Sequence, residues 1–221
     1  MSWRKALALA GSQTPQRMDI GLAEFEVLPE AQDDQLESQK ADQEEGQNED
    51  RLHSVPFASS FTTGFDSSVG LRALNGPKWL RGLPRYLLAT VRELLHFRKW
   101  GLVVLADGKP IYTTVALFAS TLNTPTFGAG MPAVPHASIY DGQLNLLLAK
   151  NVSVWQTLLL LPDLLFGKHL NHPKVHTQPF QTLQIKSDTP IPLAADGEYL
   201  GTSQNIHIRI LKGQLPIVAK S

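Results

Sequence analysis

The chain contains no cysteine among its 221 residues, which excludes disulfides, zinc–thiolate sites and cysteine nucleophiles together. It also lacks an apolar run able to cross a bilayer. The longest, Val152 to Phe166, is broken by Ser153, Gln156, Thr157, Pro162 and Asp163. The first ten residues carry only a short apolar stretch after Arg4 and Lys5, with no small-residue cleavage pattern, so they match a secretory signal poorly. A cytoplasmic protein is expected. Net charge is absent as well: 20 bases balance 20 acids.

That balance hides an asymmetry. Residues 30–50 hold nine acids and one base, Lys40, which leaves nineteen bases against eleven acids elsewhere, a remainder of about +8. Such a remainder suits a phosphate group or an anionic membrane surface; no nucleic-acid partner is expected. The acidic stretch has no aromatic and almost no aliphatic residue, so it cannot bury enough surface to offset its ordering entropy. It reads as a disordered insertion in a hairpin, between strand-like runs at Met18–Ala23 and Val55–Ala58. An acidic arm that occupies the basic site is the functional alternative. The expected organisation is residues 1–29 as an N-terminal segment with the first strand, 30–50 as the insertion, and 51–221 as the main domain.

With 43% hydrophobic residues the chain can build a core. From Leu80 to Trp100, Leu83, Leu87, Leu88, Val91, Leu94 and Leu95 recur at helical spacing with arginines between them, which predicts an amphipathic helix near 80–99. A helix packed on the core with a solvated basic face is the favoured reading over one that docks on a membrane. Short β-like runs follow at Leu102–Leu105, Ile111–Ala119, Leu144–Leu148, Leu183–Ile185 and Ile206–Ile210, separated by turn signals such as Asp107-Gly108, Asp141-Gly142 and Asp196-Gly197. A second helix near 155–166, closed by Gly167, crosses between strand groups. The fold class is therefore mainly β with accessory helices (α+β), an antiparallel β-sandwich or barrel.

Two acidic turns carry the candidate chemistry. At Asp141-Gly142 the sharp turn sets main-chain carbonyls beside a carboxylate, the oxygen-only shell that Mg²⁺ takes, with the carbonyls of Ser138 and Gln143 as companions. At Asp196-Gly197-Glu198, a partly desolvated Glu198 has the chemistry of a general base toward a hydroxyl; a solvated hairpin acid is the plain alternative. The glycine-containing stretch Asn123–Met131 lacks the Lys and Ser/Thr of a P-loop and leads into no helix, so it is expected to shape a cleft wall. His169 and His172 sit in a run with no third fixed ligand and read as a polar loop rather than a metal cluster.

In this order the motifs resemble the C-terminal part of the diacylglycerol kinase and sphingosine kinase superfamily, nearest to the bacterial soluble lipid kinases. The matching residues are Met18-Asp19-Ile20-Gly21, Phe61 to Val69 through Gly64-Phe65-Asp66, Phe127-Gly128-Ala129-Gly130-Met131-Pro132, Asp141-Gly142, Gly167-Lys168-His169 and Asp196-Gly197-Glu198. The resemblance implies a β-sandwich of the lipid-kinase C-terminal type forming one wall of a cleft, with nucleotide on a separate α/β domain. It implies that Asp141, with main-chain oxygens at Ser138 and Gln143, holds a structural Mg²⁺. It also implies that Glu198 accepts the proton of a lipid hydroxyl, diacylglycerol-like in kind. Two departures stand out: Gly128-Ala129-Gly130 replaces the family's usual Gly-Gly-Gly, and the family's nucleotide motif Gly-Gly-Asp-Gly-Thr is absent from this sequence.

ATP is thus expected to act only where a separate nucleotide-binding domain supplies its site, because phosphoryl transfer depends on holding the γ-phosphate in line. The first functional reading is the lipid-side half of a lipid kinase that works with such a partner. The second is a non-catalytic lipid- or membrane-surface-binding module, peripheral at the inner membrane face. An unrelated sandwich with a coincidental pair of Asp-Gly turns is a third.

Overall fold

The computed structural model describes residues 14–28, 52–127 and 130–218. The acidic stretch 30–50 and the pair Gly128-Ala129 lie outside these residues. Among the described residues nine strands form a single antiparallel sheet: β1 (Gln16–Glu26), β2 (Leu52–Phe57), β3 (Ser60–Thr63), β4 (Trp100–Ala106), β5 (Lys109–Leu122), β6 (Leu144–Lys150), β7 (Val175–Phe180), β8 (Thr182–Ala195) and β9 (Glu198–Ile217). The order is β2-β1-β9-β8-β3-β5-β6-β7, with β4 also lying between β5 and β8.

β3 and β4 share one strand position end to end. β3 pairs with the far ends of β5 and β8 at Ser60↔Leu122 and Phe61↔Ala195, and β4 with their other halves at Trp100↔Ala116 and Leu102↔Ser187. The chain between them is an excursion carrying two helices, α1 (Phe65–Leu74) and α2 (Leu83–Glu93). It leaves at Gly64, whose φ is 67° and where a Cβ would lie 2.7 Å from the Leu117 carbonyl oxygen, so only glycine fits. It returns at Trp100, whose indole N–H donates to Pro190 O at 3.2 Å. The two helices are clamped together by Arg72 Nε to Glu93 Oε2 at 2.6 Å and by Arg85, which donates to the carbonyls of Leu74 and Gly76. A third helix, α3 (Val154–Leu165), follows β6 and starts in a capping box of Ser153 and Gln156.

The sheet folds over on itself. β8 and β9 run for 14 and 20 residues, and their pairing shifts register between Lys186 and Ile191 and again between Leu193 and Ala194. Such irregularities bend strands from one layer into the other. Phe61 of β3 then meets Phe25 of β1 and Phe57 of β2, each at 5.8 Å between ring centroids, in the core between layers. β6 is buried on both sides: Leu144, Leu146 and Leu148 enter this core, while Leu147 joins a second cluster with Leu122, Ala133, Val134 and Ala137.

Several expectations need correction. The run near 80–99 is helical only over α2 and a single 3₁₀ turn at Leu94–His96, and extended backbone resumes at Trp100. The short runs at Leu183–Ile185 and Ile206–Ile210 are the start of β8 and the middle of β9, much longer strands obscured by prolines, polar residues and bulges that break simple alternation. α1 and β7 carry too weak a period to stand out.

Gly21 and Phe57 are direct partners across β1 and β2, and a Cβ at Gly21 would sit 2.0 Å from Phe57 Cζ. The ring of a core phenylalanine therefore covers the glycine backbone. Gly21→Ala is expected to lower stability by about 1–3 kcal/mol through overpacking, measured by chemical denaturation; an unchanged midpoint would contradict this packing.

Candidate functional site

The three Asp-Gly steps fold in two different ways. Asp107-Gly108 and Asp196-Gly197 are tight hairpins, with φ of 48° and 74° in the first and 48° and 93° in the second. Positive φ at both central positions is the geometry that matches the twist of flanking strands. Asp141-Gly142 is not a hairpin tip, as its sequence suggests; it ends the long connection from β5 to β6, and only Gly142 has positive φ, at 71°.

Each hairpin aspartate fastens a neighbouring turn. Asp196 Oδ1 accepts the N–H groups of Ser59 and Ser60 at 2.7 and 2.9 Å, and its Oδ2 accepts that of Ala58 at 2.7 Å. Asp107 Oδ1 does the same for Gln181 and Thr182, both at 2.9 Å. Asp196 is thus committed to holding the β2–β3 turn. Glu198 stands exposed at the start of β9, so the apolar run before it does not enclose the side chain, and desolvation would have to come from a facing surface.

Asp19, on β1, is the residue whose structural role sequence reasoning missed. It is buried, and its carboxylate accepts Gly142 N–H at Oδ2 and Gly213 N–H at Oδ1, both at 2.7 Å. Its own N–H donates to Ile139 O at 2.8 Å. Asn123, buried at the end of β5, donates both amide hydrogens, to Asp19 O and Ala58 O, each at 2.8 Å, and its backbone N–H reaches Ser59 O at 2.8 Å. A continuous network therefore runs from Asp196 through the turn at 58–60, Asn123 and Asp19 to Gly142. It ties the Asp141 and Asp196 turns to the same end of the sandwich. Asn123 Oδ1 accepts no hydrogen bond among the described residues. The sequence signal was present in Met18-Asp19-Ile20-Gly21: an acid amid apolar strand residues, which burial permits only with partners.

The Asp141 carboxylate is exposed, and its Oδ1 accepts Gln143 N–H at 3.0 Å, closing an Asx turn. The Ser138 side chain accepts Tyr140 N–H at 3.3 Å. The Asp19 contact to Ile139 fixes the main chain here; a carboxylate and main-chain carbonyls such as those of Ser138 and Gln143 are the kind of hard oxygen donor that Mg²⁺ takes. No cluster of three or more His, Cys, Asp or Glu side chains able to hold a metal occurs among the described residues, so a cation there would depend on main-chain oxygen. Lys212 crosses the turn: a Cβ on Gly142 would lie 3.0 Å from its Cε.

Between the helices and the sheet lies an apolar cavity, open at its mouth, walled by α1, α2, α3 and by Leu117 and Phe118 of β5 and Leu147 and Ala149 of β6. Its lining includes Phe65, Leu117, Leu147, Leu160 and Leu164, and Phe127, four residues beyond Asn123 on the same loop. Five polar side chains stand in the wall, and two of them, Thr90 and Thr157, bond back to main-chain carbonyls one turn earlier. Asp66 accepts from Ser120 Oγ at 2.9 Å and from the Tyr86 hydroxyl at 3.1 Å. Burial pushes its pKa from 3.8 up to about 6, against the opposing effect of the two hydrogen bonds. Tyr86 is pushed well above its usual value by burial and by the neighbouring carboxylate, and stays protonated. His169, expected in a polar loop, is instead buried on a 3₁₀ turn after α3, with Nε2 2.9 Å from Ala133 O; burial lowers its pKa, so the ring is neutral and Nε2–H donates. His172 accepts Lys174 N–H at 3.2 Å through Nδ1.

Comparison with known proteins follows the same outline. The family described as "YegS C-terminal NAD kinase beta sandwich-like domain" matches residues 59–219. The Bacillus subtilis protein named "Putative lipid kinase YtlR" is 26% identical over 161 residues, covering 70% of this chain and 52% of that protein. Among solved structures, a putative diacylglycerol kinase from Bacillus anthracis superposes with a TM-score of 0.64 at 15% identity, over 98% of this chain and 61% of the other. Yeast NADH kinase in complex with NADH superposes with a TM-score of 0.51 at 12% identity, over 99% of this chain and 48% of the other. The chain thus spans about half the length of the curated relative, and these structures share its fold.

Two outcomes follow from the site's geometry. In Asp19→Asn one acceptor oxygen replaces two, so Gly142 or Gly213 loses its partner. Stability should fall by about 1–3 kcal/mol, with faster amide exchange at one of the two glycines; unchanged protection at both would refute the hub. For Asp66, a pKa raised on folding means that the folded state holds its proton more tightly than the unfolded state between about pH 4 and pH 6. Its contribution is favourable below pH 4 and is lost as pH rises through 6, on the order of 2–3 kcal/mol. Asp66→Asn should remove that slope from unfolding curves; an identical pH profile would show that Asp66 does not titrate there.

Proposed function

Because residues 59–219 place this chain in the family of the YegS C-terminal NAD kinase beta sandwich-like domain, we propose that it forms the lipid side of an ATP-dependent, diacylglycerol-kinase-like lipid kinase. The observation that carries the reading is the apolar cavity whose wall reaches Phe127, on the loop that begins at the Asn123 hub. An apolar space of this kind suits the acyl part of a lipid substrate. A Mg²⁺ ion held by Asp141 and the carbonyls of Ser138 and Gln143 would supply positive charge that orders this acidic turn.

The chemistry divides between two surfaces. The lipid hydroxyl attacks the γ-phosphorus of ATP, the new oxygen–phosphorus bond forms as the bond to the β-phosphate oxygen breaks, and ADP leaves. Glu198 takes the hydroxyl proton, and its exposed position suits a group that becomes enclosed only when a second domain closes over it. Asp196 does not compete for that role, because three backbone N–H groups occupy its carboxylate. The γ-phosphate has to be held and neutralised by a nucleotide-binding domain outside this sequence, which contains no Gly-Gly-Asp-Gly-Thr. Action at the cytoplasmic face of a membrane suits this substrate; among the described residues no helix is long and apolar enough to cross a bilayer.

The test is reconstitution. The chain alone should transfer no phosphate from ATP to diacylglycerol and should gain activity when a nucleotide-binding domain bearing Gly-Gly-Asp-Gly-Thr is supplied in trans. Glu198→Gln should reduce that gain by about 10²-fold or more. Full activity of the variant mixture would reject Glu198 as the base. Lipid binding without any gain would favour the non-catalytic module instead.

A further inference from the structure

α3 is apolar on both faces, and the described residues cover only one. Thr157, Leu160, Leu161 and Leu164 turn inward to line the cavity. Trp155, Leu159, Pro162 and Phe166 recur at steps of four, three and four residues, which sets them on one outer stripe. Trp155 is 74% exposed, Leu159 73% and Phe166 74%. A helix that is apolar all round belongs inside a core or against a second apolar phase.

The adjoining segment identifies that phase. Lys99 Nζ donates to Asn151 Oδ1 at 2.8 Å, joining the end of the α1–α2 excursion to the start of α3. Leu95, four residues before Lys99, is 80% exposed, and Trp79, between α1 and α2, is 81% exposed. From Arg72 to Lys99 the sequence holds seven bases and one acid, Glu93, which Arg72 already pairs at 2.6 Å. Lys78, Arg81, Arg92, Arg98 and Lys99 are exposed. α3 carries one acid, Asp163, with Lys168 and Lys174 following it. An apolar protein partner would match the aromatic stripe alone, and a polyanion in water would match the bases alone. An anionic bilayer matches both, with aromatic and leucine side chains at the acyl boundary and cations among the headgroups.

We propose that the outer face of α3, flanked by the basic α1–α2 excursion, seats this protein on an anionic lipid bilayer, with α3 lying in the plane of the interface above the cavity. Delivery of lipid into that cavity rests on the function proposed above; the docking itself does not require phosphoryl transfer.

The full chain, without nucleotide, is sedimented with vesicles of phosphatidylcholine alone or mixed with phosphatidylglycerol. Binding to the mixed vesicles should be strong and fall as salt is raised, and binding to phosphatidylcholine should be weak. The double variant Trp155→Ser with Leu159→Ser should partition about tenfold less or lower. Lys78→Glu with Arg81→Glu and Arg92→Glu should abolish the preference for phosphatidylglycerol. Both variants change exposed residues and should keep the wild-type thermal midpoint. Undiminished partitioning of the Trp155/Leu159 variant would overturn the proposal, as would wild-type protein that ignores anionic vesicles. So would a wild-type dimer that this variant converts to monomer, since a second copy would then cover the stripe. Intact vesicle binding without reconstituted kinase activity would overturn the kinase reading alone; kinase activity in detergent without vesicle binding would overturn the docking alone.

Discussion

The buried Asp19 carboxylate, with the Asn123 amide beside it, is the constraint on which the rest of this structure depends. In a straight strand the 15 steps of β9 from Glu198 to Gly213 would span about 50 Å. Here the Gly213 end is fastened to Asp19, and the Asp196 turn beside Glu198 is joined to Asp19 through Ala58 and Asn123. The closure needs a fixed donor at each oxygen, because an unpaired buried carboxylate would be strongly unfavourable. The same group that closes the fold therefore sets the position of Gly142, and with it the exposed carboxylate of Asp141.

A second consequence concerns the helices. β3 is only four residues long because the chain leaves its strand position at Gly64 and re-enters at Trp100. That excursion places α1 and α2 beside the sheet, and α3 closes the remaining side, so the cavity lies between these helices and strands β5 and β6. Within it Asp66, Tyr86 and Ser120 satisfy one another, which lets a carboxylate stand in an apolar wall with its pKa raised to about 6. Polar residues are held rigidly while the apolar space stays open, an arrangement suited to a ligand with a long apolar part and one polar end.

Much of the architecture was legible in the sequence, for identifiable reasons. Asp-Gly steps marked both true hairpins, Gly167 marked the end of α3, and the strands showed through β-branched and leucine-rich runs. Strand length did not, since Pro190, Pro192 and the bulges near them interrupt the period without ending the strand. α1 stayed hidden because Ser67, Ser68 and Gly70 dilute its apolar stripe. At the site, local sequence identified Asp141 and Asp196 as turn residues but could not reveal that Asp196 is occupied by three amides. Nor could it show that Asp19, more than a hundred residues earlier, anchors the turn at Gly142. His169 looked like part of a polar loop because its neighbours are polar, and the hydrogen bond to Ala133 O that accompanies its burial comes from a residue 36 positions away.

The absence of cysteine offers a direct approach to the central claim, that the turns at Asp141 and Glu198 share one end of a folded-over sheet. Spin labels introduced by Tyr140→Cys and Glu198→Cys report the separation of the two turns in solution. Opposite ends of the 14-residue β8 would be about 45 Å apart. The account predicts a single narrow distance distribution at no more than about half that span. A population near the full length would contradict it.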